Sequence, residues 1–363
     1  MAPRAGADVP GRGAGRREMA NEPGKQTKQE ILAQPAGWAE TLEIMAGLEG
    51  DLARLWREER PDHVVLTGCG TPYYAAQVVA GVLQSLTGVP SRAVPASELL
   101  LYRDSALPAA GRVLMVALSR SGSTSETVRA GREFLASGRG PLVTLSGFGE
   151  EPLAGLGAVN AVLPALQDRS VVQTRAFTAM TIAALAATAA WGGRPDLTAE
   201  LQRLPEAGRR VLERHLPTVD RLVARGGVER FFFLGSGPQH GYAGEAALKA
   251  KEVSLTPAEP FHFMEFRHGP MSLVTPETLV VGFLGGHDDW ERPVMAQMAA
   301  FGGQTLTVGE TDADLALDSG LGEIARGPLL LPAMQWLVCE RAIAAGLDPD
   351  HPRNLSAVVK LEI

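Results

Sequence analysis

Residues 61–85, "PDHVVLTGCGTPYYAAQVVAGVLQS", decide the fold. The run begins with consecutive β-branched and apolar residues and ends in glycine. Apolar character that does not alternate marks a strand covered on both faces. After the Gly68-Cys69-Gly70 turn, the spacing predicts a helix with an apolar stripe. The same layout returns at 228–254, "VERFFFLGSGPQHGYAGEAALKAKEVS". Strand, Gly-x-Gly turn and helix therefore occur twice, which predicts two copies of one α/β unit.

Working outward, buried strands are expected in "RVLMVAL" (112–118), "PLVTLSG" (141–147) and "AVNAVLPAL" (158–166), with a short one in "SRAVPASELL" (91–100). The second unit offers "ETLVVGFLGG" (277–286) and "GQTLTVGE" (303–310). Helical patterns lie between, notably at 123–138, 171–191 and 328–346, and a further one at 31–58 is broken near Pro35. Strands alternating with helices give an α/β protein. Each unit is then a parallel sheet flanked by helices, with flavodoxin-like or Rossmann-like layering. The expected boundaries are a disordered tail at 1–30, a first unit at 31–200, a linking helical region at 201–224, and a second unit with C-terminal tail at 225–363.

A chain of 363 residues is too long for one ordinary core. A 45% hydrophobic and 21% charged composition is that of a globular protein. The formal net charge of -7 argues against nucleic acid as a partner. Two cysteines, Cys69 and Cys339, cannot form a disulfide framework, and no cluster suggests a metal. No apolar run is long enough to span a bilayer, so no membrane contact is expected. The Arg-, Gly- and Pro-rich start has no apolar core of a secretory signal, and Met19 is a second candidate start. A cytoplasmic location follows as an expectation.

Chemistry concentrates in "SRSGSTSET", residues 119–127, where four serines and two threonines surround Gly122. The stretch leaves a strand and starts a helix, on the side where open parallel sheets bind ligands. Unpaired N–H groups at the helix start, with Ser119, Ser121, Ser123 and Thr124, form an anion cradle suited to phosphate. The alternative is a capping box between Ser123 and Glu126. On the second unit's helix, Glu245, Lys249 and Glu252 fall on one face at i, i+4 and i, i+7. Two carboxylates around an ammonium suit acid–base work, although a solvated ion pair has the same spacing.

Six stretches in one order resemble the sugar isomerase (SIS) domain family. They are "GCGTPYYAA", "SRSGSTSET", "QTRAFT", "GEAALKAKEVS", "EFRHGP" and the tail "DPDHPRNLSAVVKLEI". The similarity is to the isomerase half of glucosamine-6-phosphate synthase and to stand-alone amino-sugar-phosphate deaminase/isomerases. It implies two SIS units, a phosphosugar substrate and no cofactor. It also implies phosphate contacts at Thr71, Ser119, Arg120, Ser121 and Thr124, and puts Val171 and Gln173 near the sugar. Glu252 becomes the base that moves a proton between C1 and C2, provided burial raises its pKa, and His268 the ring-opening group. Lys249 and Glu245 assist. In the synthase this histidine reaches a neighbouring subunit, so a homodimer with His268 contributed across subunits is implied.

The chain also departs from that pattern. Pro72 stands where the family commonly has serine, and one contact is lost. The tail lysine that forms an imine in the synthase is here Ala357, with Lys360 three residues on. No glutaminase domain is recognisable, so glutamine-dependent synthesis is not expected. The resemblance implies an isomerase/deaminase that converts glucosamine or galactosamine 6-phosphate to ketohexose 6-phosphate and ammonia. A fructosamine 6-phosphate deglycase and a non-catalytic sugar-phosphate sensor are the alternatives.

Overall fold

The computed structural model describes residues 22–359 and Leu361. One sheet comprises β1 (His63–Gly68), β2 (Ser91–Pro95), β3 (Val113–Ser119), β4 (Leu142–Ser146) and β5 (Val159–Val162), in the order β2-β1-β3-β4-β5. The other comprises β6 (Arg230–Gly235), β7 (Ala258–Phe261), β8 (Thr278–Phe283), β9 (Gln304–Gly309) and β10 (Leu315–Ala316), in the order β10-β9-β8-β6-β7. All pairings are parallel. Counted from each unit's first strand, both orders are 2-1-3-4-5, the flavodoxin-like winding. The internal repeat read from two glycine turns is thus a repeat of topology.

Helices of eight residues or more are α1 (Lys25–Leu32), α2 (Gln34–Glu59), α3 (Thr71–Thr87), α4 (Ser125–Ala136), α5 (Arg175–Gly192), α6 (Leu204–Arg225), α7 (Gln239–Val253), α8 (Asp288–Ala300) and α9 (Pro332–Ala344). They cover both faces of the sheets, as continuous apolar strands require. Val64 and Leu66 pack in one core with Trp38, Val79 and Phe177, while Val65 and Met115 face another that includes Phe134. The first core runs on into the second unit through Phe233, Tyr242 and Leu337. Phe177 and Tyr242 meet edge-on at 5.9 Å. The units are therefore fused by shared apolar burial. No helix among the described residues is long and apolar enough to cross a membrane.

The seam between units depends on two glycines of α7. A Cβ at Gly241 would lie 2.7 Å from the Val78 backbone nitrogen, and one at Gly244 2.4 Å from the Tyr74 ring. Backbone cannot yield as a flexible side chain does, so α3 and α7 approach closely only with glycine there. This approach matters beyond packing, because α3 begins at Thr71 and α7 carries Lys249. Gly241→Ala is expected to cost about 1–3 kcal/mol in denaturant unfolding and to lower activity. Gly81→Ala, where a Cβ meets nothing within 4 Å, is the matched control and is expected to do neither.

Three features differ from expectation. The disordered tail was drawn through residue 30; residues 1–21 lie outside the described residues, but Lys25–Leu32 is a helix. Its free N–H groups are capped from the far end of the chain: Asp348 accepts from Gly24 N at 2.9 Å, and Asp350 from Gln26 N and Thr27 N, both at 2.8 Å. Caps from so distant a segment leave no local sequence signal. The expected break near Pro35 is present: α1 ends at Leu32 and α2 starts at Gln34, where the proline's missing N–H costs nothing. The strands β7 and β10 were not anticipated. The first is an edge strand containing Pro260, and the second has only two residues.

Candidate functional site

The strand order reverses between β1 and β3, and their carboxyl ends open a crevice. A cavity of about 210 Å³ fills it. Its lining includes Thr71 from the first loop, Arg120 and Thr124 from the hydroxyl loop, Val171 and Gln173, and Lys249 and Glu252 from α7. Seven of the eleven residues singled out by sequence thus meet around one cavity. Ser119, Ser121 and Glu245 are buried at 1%, 8% and 0% exposure, one layer behind.

The hydroxyl loop is organised around Thr124. The Ser119 and Ser121 hydroxyls each lie 3.3 Å from its hydroxyl. Ser119 Oγ accepts from Gly122 N at 3.1 Å, and Ser121 Oγ accepts from Ser123 N at 3.2 Å. Gly122 has φ 70°, and a Cβ there would lie 2.9 Å from Glu151, so only glycine fits the turn comfortably. Thr124 is the N-cap of α4, and no side chain caps the helix. Its first N–H groups and positive dipole end are left for an anion. The capping-box alternative fails, because Ser123 N is already engaged by Ser121.

Arg120 plays a different part from the phosphate contact expected of it. Its guanidinium donates to the carbonyls of Ser170 at 3.2 Å, Val171 at 2.9 Å and Ala357 at 2.6 Å. It ties the hydroxyl loop to the segment at Ser170 and Val171 and to the C-terminal tail. Asp168 fixes that segment from the other side, accepting from Thr174 N at 2.8 Å and Ala176 N at 3.2 Å at the start of α5. Burial pushes the Asp168 carboxyl up to about 6, partly offset by these bonds.

The ionisable face of α7 is not a solvated ion pair. Lys249 is 1% exposed and makes an ion pair with Glu252. It also lies 3.4 Å from Glu245 and donates to Thr71 at 3.1 Å. Thr71 donates in turn to Glu245 at 3.2 Å. Burial raises Glu245 to about 8, and Lys249 opposes that shift. Burial opposes the Lys249 charge as well, but the two carboxylates outweigh it and hold its pKa up. The burial expected at Glu252 falls instead on Glu245; the Glu252 side chain is 22% exposed at the cavity wall.

His268 does not join this cavity. It is exposed, just after a short helix at Phe263–Phe266 of the second unit. Lys360 lies outside the described residues. Pro72 sits in the first turn of α3, where no N–H is missed. Cys69, Glu126 and the tail residues 355–359, to which sequence reasoning gave no substrate contact, also line the cavity. At the corresponding strand ends of the second unit, side chains bond to neighbouring groups. There Glu291 accepts from Gly285 N at 2.9 Å, Gln239 donates to Glu323 at 2.9 Å, and Arg326 donates to the Gly285 carbonyl at 3.0 Å.

Residues 59–190 match the family model described as SIS domain. The chain is 27% identical over 350 residues to an isomerizing glutamine–fructose-6-phosphate aminotransferase of Methanothermobacter thermautotrophicus. That match covers 92% of this chain and 57% of the relative, so the chain spans little more than half the relative's length. Among solved structures, a tagatose-6-phosphate ketose/aldose isomerase from Escherichia coli superposes with TM-score 0.80 at 24% identity, covering 92% of this chain and all of that one. A glucosamine-6-phosphate deaminase from Thermotoga maritima superposes with TM-score 0.72 at 24% identity, covering 89% of this chain and all of that one. These two likenesses establish the two-unit fold.

Proposed function

We propose, proceeding from the match of residues 59–190 to the SIS domain model, that this chain deaminates and isomerises a hexosamine 6-phosphate. The observation that carries this reading is the Thr71–Lys249–Glu245–Glu252 network facing the hydroxyl loop across one cavity. One pole suits a phosphate, the other a proton transfer. The curated relative is an isomerizing glutamine–fructose-6-phosphate aminotransferase, and one structural neighbour is a glucosamine-6-phosphate deaminase.

In this reading the phosphate seats on the hydroxyl loop and the α4 N-terminus. Glu252 removes the proton from C2 of the open aldose and returns it to C1, leaving an imine at C2. Water adds to that carbon, the C–N bond breaks, and ammonia leaves with a ketose behind. Lys249, ion-paired with Glu252, positions the carboxylate that takes the proton. His268 of a second copy opens the ring, in keeping with its exposure outside its own chain's cavity. Imine capture by the tail is disfavoured, because its cavity-lining position is Ala357, whose carbonyl Arg120 already engages.

The test is ammonia release from glucosamine, galactosamine and fructosamine 6-phosphates. Release from one of the two hexosamine phosphates, with stoichiometric ketose phosphate, is expected. Release from fructosamine 6-phosphate alone would favour deglycation. Tight binding without turnover of any of them would make the protein a sensor.

A further inference from the structure

Glu126 occupies the first turn of α4 and is one of the residues that line the cavity. The capping box that would have employed it does not form. One of its carboxylate oxygens is buried and has no hydrogen-bond partner among the described residues. The other charged side chains of the lining are engaged within the protein. Arg120 donates to three carbonyls, and Lys249 and Glu252 pair with each other. Glu126 thus brings to the cavity a negative charge that no described side chain balances. A buried acceptor without a partner is costly unless a ligand completes it.

The α4 dipole does not resolve this imbalance, because a phosphate on the hydroxyl loop draws on the same positive end. A sugar phosphate carrying only hydroxyls would add negative charge beside Glu126 and return none. A ligand that carries an ammonium as well as a phosphate brings a partner for each of these groups. Resting on the phosphosugar reading above, we propose that Glu126 is the specificity-determining residue that accepts hydrogen bonds from the ammonium of an amino-sugar phosphate. It selects that substrate over the hydroxyl analogue.

Titration calorimetry with 2-amino-2-deoxyglucitol 6-phosphate and glucitol 6-phosphate tests this. The two differ only in amine against hydroxyl, and neither has a carbonyl to turn over. The wild type is expected to prefer the amine by about 10-fold or more, the scale of one charge-assisted bond. Glu126→Gln is expected to lose that preference and to keep its affinity for glucitol 6-phosphate within about twofold. Glu126→Asp, which keeps the charge, should recover part of the preference. Equal weakening of both ligands by Glu126→Gln would overturn the proposal and leave Glu126 a structural residue. A wild type that binds both equally would overturn it too, while the phosphosugar site stands. A wild type that binds neither would sink the phosphosugar reading itself, and this inference with it.

Discussion

Glu252→Gln lowers turnover by about 10²–10⁴-fold, the range in which a positioned proton-transfer group contributes. Affinity for the phosphosugar is expected to stay within severalfold, because the phosphate pole lies on a different element. The substitution keeps side-chain shape and removes only the basic oxygen. Of the two α7 carboxylates, Glu252 is the one at the cavity wall, with 22% of its side chain exposed, whereas Glu245 is sealed at 0%. A proton taken from a substrate must go to a group the substrate can touch. Steady-state kinetics and calorimetry on the same preparation separate the two effects. A parallel loss of kcat and of binding would mean that Glu252 holds the pocket together and does not move the proton.

The second large effect is on stability. Lys249→Met leaves Glu245 and Glu252 facing each other with no cation between them. Breaking a buried ionic group in this way typically costs about 3–5 kcal/mol. The loss should depend on pH in a way that identifies its source. Glu245 is held at about 8, against roughly 4.3 for an unfolded glutamate. Between those values the folded protein keeps a proton that the unfolded chain has released. The stability contributed by that proton is therefore present at low pH and falls as pH rises through the window. In the wild type the fall levels off above pH about 8, where Glu245 ionises beside Lys249. Without Lys249 that ionisation is penalised further, so stability keeps falling at higher pH. Urea unfolding across pH 5–9 for the wild type, Lys249→Met and Glu245→Gln checks this. A pH-independent loss in Lys249→Met would show that packing, and not charge, is at stake.

The sequence disclosed most of the sheet architecture because parallel strands buried on both faces are apolar throughout. "VLMVAL" and "FFFLG" admit little else, and β3 is buried along its whole length. The hydroxyl loop was legible for the complementary reason: one helix start carries more polar groups than a cap can use. What escaped depends on distant or edge contacts. The α1 helix is capped by Asp348 and Asp350, more than 320 residues away. The edge strand β7 carries Glu259 and Pro260, which local pattern reads as loop. Arg120 stands in the loop where phosphate contacts were expected, yet its guanidinium is drawn to the carbonyls of Ser170, Val171 and Ala357, and only the folded chain brings those together. Burial within an amphipathic pattern was also hidden. The i, i+4 and i, i+7 spacing of Glu245, Lys249 and Glu252 is the same on a wet helix, and the close approach of α3 at Gly241 and Gly244 makes it dry.

In the proposed reaction α7 moves a proton on a phosphosugar held by the hydroxyl loop. Proton exchange in D₂O tests it most directly. Glucosamine 6-phosphate and galactosamine 6-phosphate would each be incubated with the protein and followed by proton NMR. With one of them, deuterium is expected to enter at the carbon that Glu252 reprotonates, at a rate that collapses in Glu252→Gln. Saturating binding of either sugar phosphate with no exchange at C1 or C2 would contradict the claim.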